Sequence, residues 1–199
     1  MKVKICGMKD QSQVNTLSKL ADYIGFIFYE KSPRFISKPI PDTTNVERVG
    51  VFVNEHLDNV ISTIQSEELN IAQLHGNETA SYCAEVQKHC KVIKAFGIDD
   101  KFDFSELKSY ENAVTLFLFD TKTPKHGGSG KKYNWDILKK YYGETDFFLS
   151  GGIHPESLEE IKTLNHPKLI GIDLNSGFEI SPVNKNINAI KSFIHELNN

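Results

Sequence analysis

Eight short apolar runs recur along the chain: Val3–Cys6, Tyr23–Phe28, Arg48–Val53, Ile71–Leu74, Val92–Phe96, Val114–Phe119, Phe147–Leu149 and Leu169–Leu174. They are brief and nearly uninterrupted, the pattern of strands covered on both faces. Between them the period lengthens. Leu57, Val60, Ile61 and Ile64 repeat at helical spacing, as do Leu158, Ile161 and Leu164, and again Ile187, Ile190, Ile194 and Leu197. Helix starts are expected at Asp10, Asn54, Asn134 and His154-Pro155, where a capping side chain or a first-turn proline precedes the apolar repeat.

Strand–helix alternation predicts a parallel sheet with right-handed crossovers. Eight such units predict a compact, single-domain (βα)8 TIM barrel over residues 1–199. The chain is short for that fold, where about 250 residues is typical, so its loops must be compact. One crossover breaks the pattern: Ser32–Asn45 holds Pro33, Pro39 and Pro41, which excludes an ordinary second helix. The structural rival is a doubly wound open sheet, but no dinucleotide glycine fingerprint follows the first strand.

Composition narrows the partners. The formal charge is −3 with no basic run or stripe, which argues against nucleic acid. No apolar stretch approaches the ~18 residues of a membrane span, and the chain enters a strand without a signal pattern. Cys6, Cys83 and Cys90 are an odd set without zinc spacing, suited to a reducing cytoplasm. Cys83, Val86 and Cys90 share one helical face, which reads as core packing.

In a barrel of this kind chemistry gathers at the C-terminal ends of the strands. There the sequence places Cys6, Ser32-Pro33-Arg34, Gln73-Leu74-His75-Gly76, Asp120, Ser150-Gly151-Gly152, Asp173 and Asn175-Ser176-Gly177. Glycines let a backbone approach an anion closely, and the loops after strands seven and eight are the common phosphate site of the class. Gly151, Gly152, Ser176 and Gly177 are therefore expected to cradle a phosphate, with the helix near Pro155 pointing its positive end the same way. Tight turns are the structural alternative. The segment His126-Gly127-Gly128-Ser129-Gly130 reads as a flap or an exposed linker. Cys6 and Asp120 form a thiol and carboxyl pair, suited to moving protons without a redox cofactor. The alternatives are a buried structural thiol and a capping carboxylate. Arg34 can hold a carboxylate bidentately or lie on the surface. His75 can orient a substrate or simply be hydrogen-bonded at a strand end.

Taken in order, Lys4-Ile5-Cys6-Gly7-Met8, Ser32-Pro33-Arg34, Val49-Gly50-Val51-Phe52, Gln73-Leu74-His75-Gly76, Phe119-Asp120-Thr121, Gly127-Gly128-Ser129-Gly130, Leu149-Ser150-Gly151-Gly152 and Ile172-Asp173-Leu174-Asn175-Ser176-Gly177-Phe178-Glu179 closely resemble the phosphoribosylanthranilate isomerases of tryptophan biosynthesis. The resemblance spans nearly the whole chain. It implies an Amadori rearrangement of N-(5-phosphoribosyl)anthranilate with no metal or cofactor, by a cytoplasmic monomer or homodimer. It also implies that Asp120 is the general acid, Cys6 the base, and Arg34 the residue facing the anthranilate carboxylate. Gly151, Gly152, Ser176 and Gly177 would hold the phosphate, with Asp173 at the matching strand end in a supporting role. The chain departs from the family pattern in the Pro-rich second crossover, in Asn175 where serine is common, and in Ser181–Asn186. Another phosphosugar aldose–ketose isomerase, or a non-catalytic barrel that binds a phosphorylated ligand, are the rival functions.

Overall fold

The computed structural model describes residues 1–122 and 132–199. Eight parallel strands close into a barrel in sequence order: β1 (Lys2–Ile5), β2 (Tyr23–Ile27), β3 (Glu47–Phe52), β4 (Ile71–Leu74), β5 (Lys91–Ile98), β6 (Leu116–Thr121), β7 (Phe147–Leu149) and β8 (Leu169–Leu174). Closure joins β1 to β8 in a register that sets Lys4 beside Asp173. The open-sheet alternative is thereby excluded. A small hairpin, β9 (Glu179–Ser181) and β10 (Asn184–Lys185), follows β8.

The outer layer is uneven. Helices α1 (Gln11–Leu17), α2 (Leu57–Ser66), α3 (Ala80–Gln87), α4 (Leu158–Thr163) and α5 (Ile187–Leu197) cover part of it. Asp10 caps α1 by accepting from the Gln13 N–H, and Asn186 caps α5 from the Ala189 N–H. The expectation for Asn54 is corrected. α2 begins at Leu57 behind His56, whereas Asn54 adopts a left-handed φ of 51° and its Oδ1 accepts from the Asn77 N–H. Asn54 thus ties the β3 loop to the β4 loop rather than starting a helix. No helix is found between β2 and β3, as the prolines require. After β5 the chain makes a 3-10 turn at Phe104–Ser109, and a second turn at Trp135–Lys140 begins at Asn134. Phe96, Phe104, Phe117, Phe119, Tyr141 and Phe147 fill that side with ring contacts at centroid separations of 4.8 to 6.3 Å.

Alternation along the strands divides the interior from this outer shell. Val49, Ile71, Ile93, Leu116, Leu118 and Phe148 form an apolar plug distinct from the larger cluster under the helices. The next inward positions toward the C-terminal mouth are Lys4, Cys6, Gln73, His75, Asp120 and Asp173. An apolar floor therefore carries a polar layer, and that layer is the candidate site. The segment His126–Gly130 lies outside the described residues. Among the described residues no helix is long and apolar enough to cross a membrane.

Candidate active site

Cys6 follows β1 directly and continues its ladder, its N–H donating to the Leu174 carbonyl at 2.9 Å. Gly25 on β2 makes room for the thiol, since a Cβ there would lie 2.9 Å from the Cys6 Sγ. The thiol is buried. Two residues down the strand, and on the same inward face, Lys4 is fully enclosed and donates to Asp173 Oδ1 at 2.8 Å. Burial pushes the Cys6 thiol up; the Lys4 ammonium opposes that shift, Asp173 adds to it and Lys185 opposes it. Burial also disfavours the Lys4 ammonium, but Asp173 and Cys6 outweigh it and raise its pKa. The Asp173 carboxyl is raised by burial against the pull of Lys4, with the charge of Asp120 adding to the rise.

Asp120 sits near the end of β6, buried, with a different set of neighbours. Its Oδ1 accepts from the Thr121 N–H at 2.7 Å. Its Oδ2 faces His75 Nε2 at 3.3 Å, and Gln73 Nε2 lies 3.0 Å from His75 Nδ1. Strands β4 and β6 are thus bridged by an amide–imidazole–carboxyl chain. Tyr133 is buried and feels the Asp120 charge; burial first, and that charge second, push its phenol well above the ordinary tyrosine value.

Arg34 is buried, not a surface arginine. Its Nε and Nη2 donate to the two oxygens of Glu179 at 2.8 and 2.6 Å. That edge of the guanidinium is therefore occupied by Glu179. Lys185, also buried, donates to Glu179 Oε1 at 2.8 Å and to Asn175 Oδ1 at 2.9 Å. Burial works against the Glu179 carboxylate, but Arg34 and Lys185 hold its pKa low. Asn175 thus spends its side-chain oxygen on Lys185.

The two glycine loops meet each other. Gly151 has φ +85°, and a Cβ there would strike Thr121 and Asp120 Oδ1, so the β7 loop packs directly on the carboxyl. Gly152 also has positive φ. A Cβ on Gly177 would lie 2.0 Å from the Ile153 carbonyl oxygen, so the β8 loop needs glycine to pass. A short 3-10 turn, Ser176–Phe178, follows β8. The helix expected near Pro155 starts as a 3-10 turn, Pro155–Ser157, and continues as the short α4.

Sequence reasoning missed Lys4, Glu179 and Lys185 as parts of the site, and it placed Gln73 at its strand end without a role. Strand parity is the signal for two of them: Lys4 is two residues before Cys6, and Gln73 two before His75, hence inward with them. It also missed a buried pair outside the barrel. Lys94 donates to Glu78 Oε2 at 3.1 Å and to the Gly76 carbonyl at 2.7 Å, while Glu78 accepts from the N–H groups of Asn54 and Gly76. That pair ties down the loop that carries His75.

A closed parallel barrel with a thiol and a carboxyl facing its C-terminal mouth defines a (βα)8-barrel enzyme whose chemistry moves protons. Residues 3–196 match the family model described as N-(5'phosphoribosyl)anthranilate (PRA) isomerase, and the chain belongs to that family. The N-(5'-phosphoribosyl)anthranilate isomerase of Parabacteroides distasonis is 43% identical, covering 99% of this chain and 93% of its own. A solved structure of monomers of the dimeric enzyme from Thermotoga maritima is 31% identical, with a TM-score of 0.85 over 100% of this chain and 98% of that one. A phosphoribosyl anthranilate isomerase solved with reduced 1-(o-carboxyphenylamino)-1-deoxyribulose 5-phosphate is 30% identical, with a TM-score of 0.83 and the same coverage.

Proposed function

We propose that the chain converts N-(5′-phosphoribosyl)anthranilate to 1-(2-carboxyphenylamino)-1-deoxyribulose 5-phosphate, with Asp120 as general acid and Cys6 as general base. The reaction is an internal redox exchange: C1′ is reduced as C2′ is oxidised, so no external oxidant is needed. Asp120 protonates the furanose ring oxygen as the C1′–O bond breaks, and the anilino nitrogen supplies electrons to form an iminium. The iminium acidifies the C2′ proton. Cys6, as thiolate, removes it, giving an enolamine that tautomerises to the ketone.

The observation that supports this reading most is the pairing of environments at one mouth. The thiol has the buried Lys4 ammonium acting on it to favour its ionised form, and the carboxyl has the Thr121 N–H aimed at one oxygen. Arg34, through the Nη1 edge that Glu179 does not take, receives the anthranilate carboxylate. Gly151, Gly152, Ser176 and Gly177 offer backbone N–H groups to the 5′-phosphate. His75 and Asp173 shape the floor between. The partner is a small phosphorylated molecule and the protein acts in the cytoplasm as a monomer or homodimer, a choice that sedimentation resolves.

The test is turnover of freshly generated substrate, followed by loss of its fluorescence. Cys6→Ala and Asp120→Asn should each lower kcat by ~10²–10⁴-fold, the usual contribution of a general acid or base, with binding retained. Near-normal turnover in either variant would remove that residue from its role. No turnover by the folded wild type would move the reading to another phosphosugar isomerase or to a binding barrel.

A further inference from the structure

We propose that Gln73 is a positioning residue for the acid: it fixes the tautomer of His75 and so aims an N–H at Asp120. The inference rests on the reading of Asp120 as general acid. Gln73 is buried in the barrel interior, two residues before His75 on the same inward face. Its Nε2 is a donor only, so His75 Nδ1, at 3.0 Å, must accept. In a neutral ring the proton then sits on Nε2, which faces Asp120 Oδ2 at 3.3 Å. With the amide reversed, a neutral ring would carry its proton on Nδ1 and turn a lone pair toward the carboxylate.

The observed arrangement leaves a mark. Gln73 Oε1 is buried and accepts no hydrogen bond from any described residue. A core position chosen for stability alone would favour an apolar side chain, because an unpaired buried carbonyl is unfavourable. The amide is therefore kept for what its nitrogen does. That benefit is greatest after the acid has given up its proton, since a donor stabilises a carboxylate more than a neutral acid. Among the described residues, Asp120 is met by His75 from the β4 end and the Thr121 N–H beside it, and through charge by Tyr133 and by Asp173 on β8.

The first measurement needs no variant. Heteronuclear NMR of the histidine ring nitrogens, at a pH where His75 is neutral, should find the Nε2–H tautomer; the Nδ1–H tautomer would overturn the proposal. Next come Gln73→Met, His75→Gln and the double variant. Gln73→Met should keep or raise the Tm, mix the His75 tautomers and lower kcat about tenfold with KM little changed, a fraction of the ~10²–10⁴-fold an acid supplies. In the His75→Gln background the same change should have little further effect on kcat, because its route to Asp120 is gone. An unchanged tautomer in Gln73→Met, a parallel loss of Tm and kcat, or multiplicative losses in the double variant would each overturn it. The tautomer is read without turnover, so an active Asp120→Asn would sink the acid assignment and not this geometry.

Discussion

On the β1–β8 side of the barrel mouth, Cys6 shares its surroundings with Lys4, Asp173, Arg34, Glu179 and Lys185, whose ion pairs are all buried. On the β4–β6 side, Asp120 meets an imidazole backed by an amide, and a backbone N–H. The difference fits the roles proposed for the two groups. A buried thiol ionises poorly, so a base made of one needs a full positive charge close by. An acid must hold its proton and then lose it. A fixed cation would keep it ionised, whereas a directional donor favours the carboxylate without a net charge. The two corners are therefore not interchangeable, although both consist of one protonatable atom at a strand end.

The strongest way to break this comparison is to remove the ammonium. Lys4→Met should reduce kcat on the order of 10²-fold, within the range a general base contributes. The onset of thiolate absorbance should move to higher pH. Asp173→Asn should move that onset the other way, because the carboxylate opposes the thiolate and competes for Lys4. Removing one partner of a buried pair also costs about 3–5 kcal/mol of stability. A Lys4→Met/Asp173→Leu double variant should recover much of the stability and none of the activity. Equal thiol titrations in wild type, Lys4→Met and Asp173→Asn would mean that Lys4 supports the fold alone.

A smaller effect is expected at Arg34. Arg34→Lys keeps the charge but loses the fork that grips Glu179 through two nitrogens. KM should rise about tenfold, a cost of ~1.4 kcal/mol in binding, with kcat changed less. A fall in kcat at constant KM would place Arg34 with the chemistry of Cys6 rather than with substrate capture.

The barrel was legible because its strands are buried on both faces and so read as apolar runs, and because Pro33, Pro39 and Pro41 veto a helix locally. Cys6 and Asp120 were legible because each breaks off an apolar run. Lys4 and the role of Gln73 were not, because a polar residue inside a short strand looks like its solvent-facing half until the barrel closes and parity assigns it inward. Glu179 and Lys185 lie beyond β8 in a hairpin whose bulged register between Asn184 and Lys185 has no simple sequence pattern. Asn54 has the chemistry of a helix cap, but the buried Glu78 carboxylate takes its backbone N–H and Asn77 takes its side chain, so the tertiary contact wins over the local one.

The smallest effect sharpens the comparison with a thiol that has no work to do. Cys83 is completely buried on α3, and burial pushes its pKa up to about 11, with Lys94 opposing and Glu78 adding. Its folded value thus lies above the 9.0 of an unperturbed thiol. The folded chain holds a proton that the unfolded chain releases, so this contribution is complete below pH 9 and is lost as pH rises toward 11. At pH 10 about 1 kcal/mol should already be gone. Cys83→Ala removes the titrating group along with some packing. In urea unfolding, its deficit relative to wild type should therefore be largest near pH 8 and shrink by about 1 kcal/mol at pH 10. Turnover at pH 8 should be unchanged. A deficit independent of pH would show that Cys83 does not titrate on unfolding in this range, and burial would then no longer explain why the Cys6 thiol needs the ammonium of Lys4.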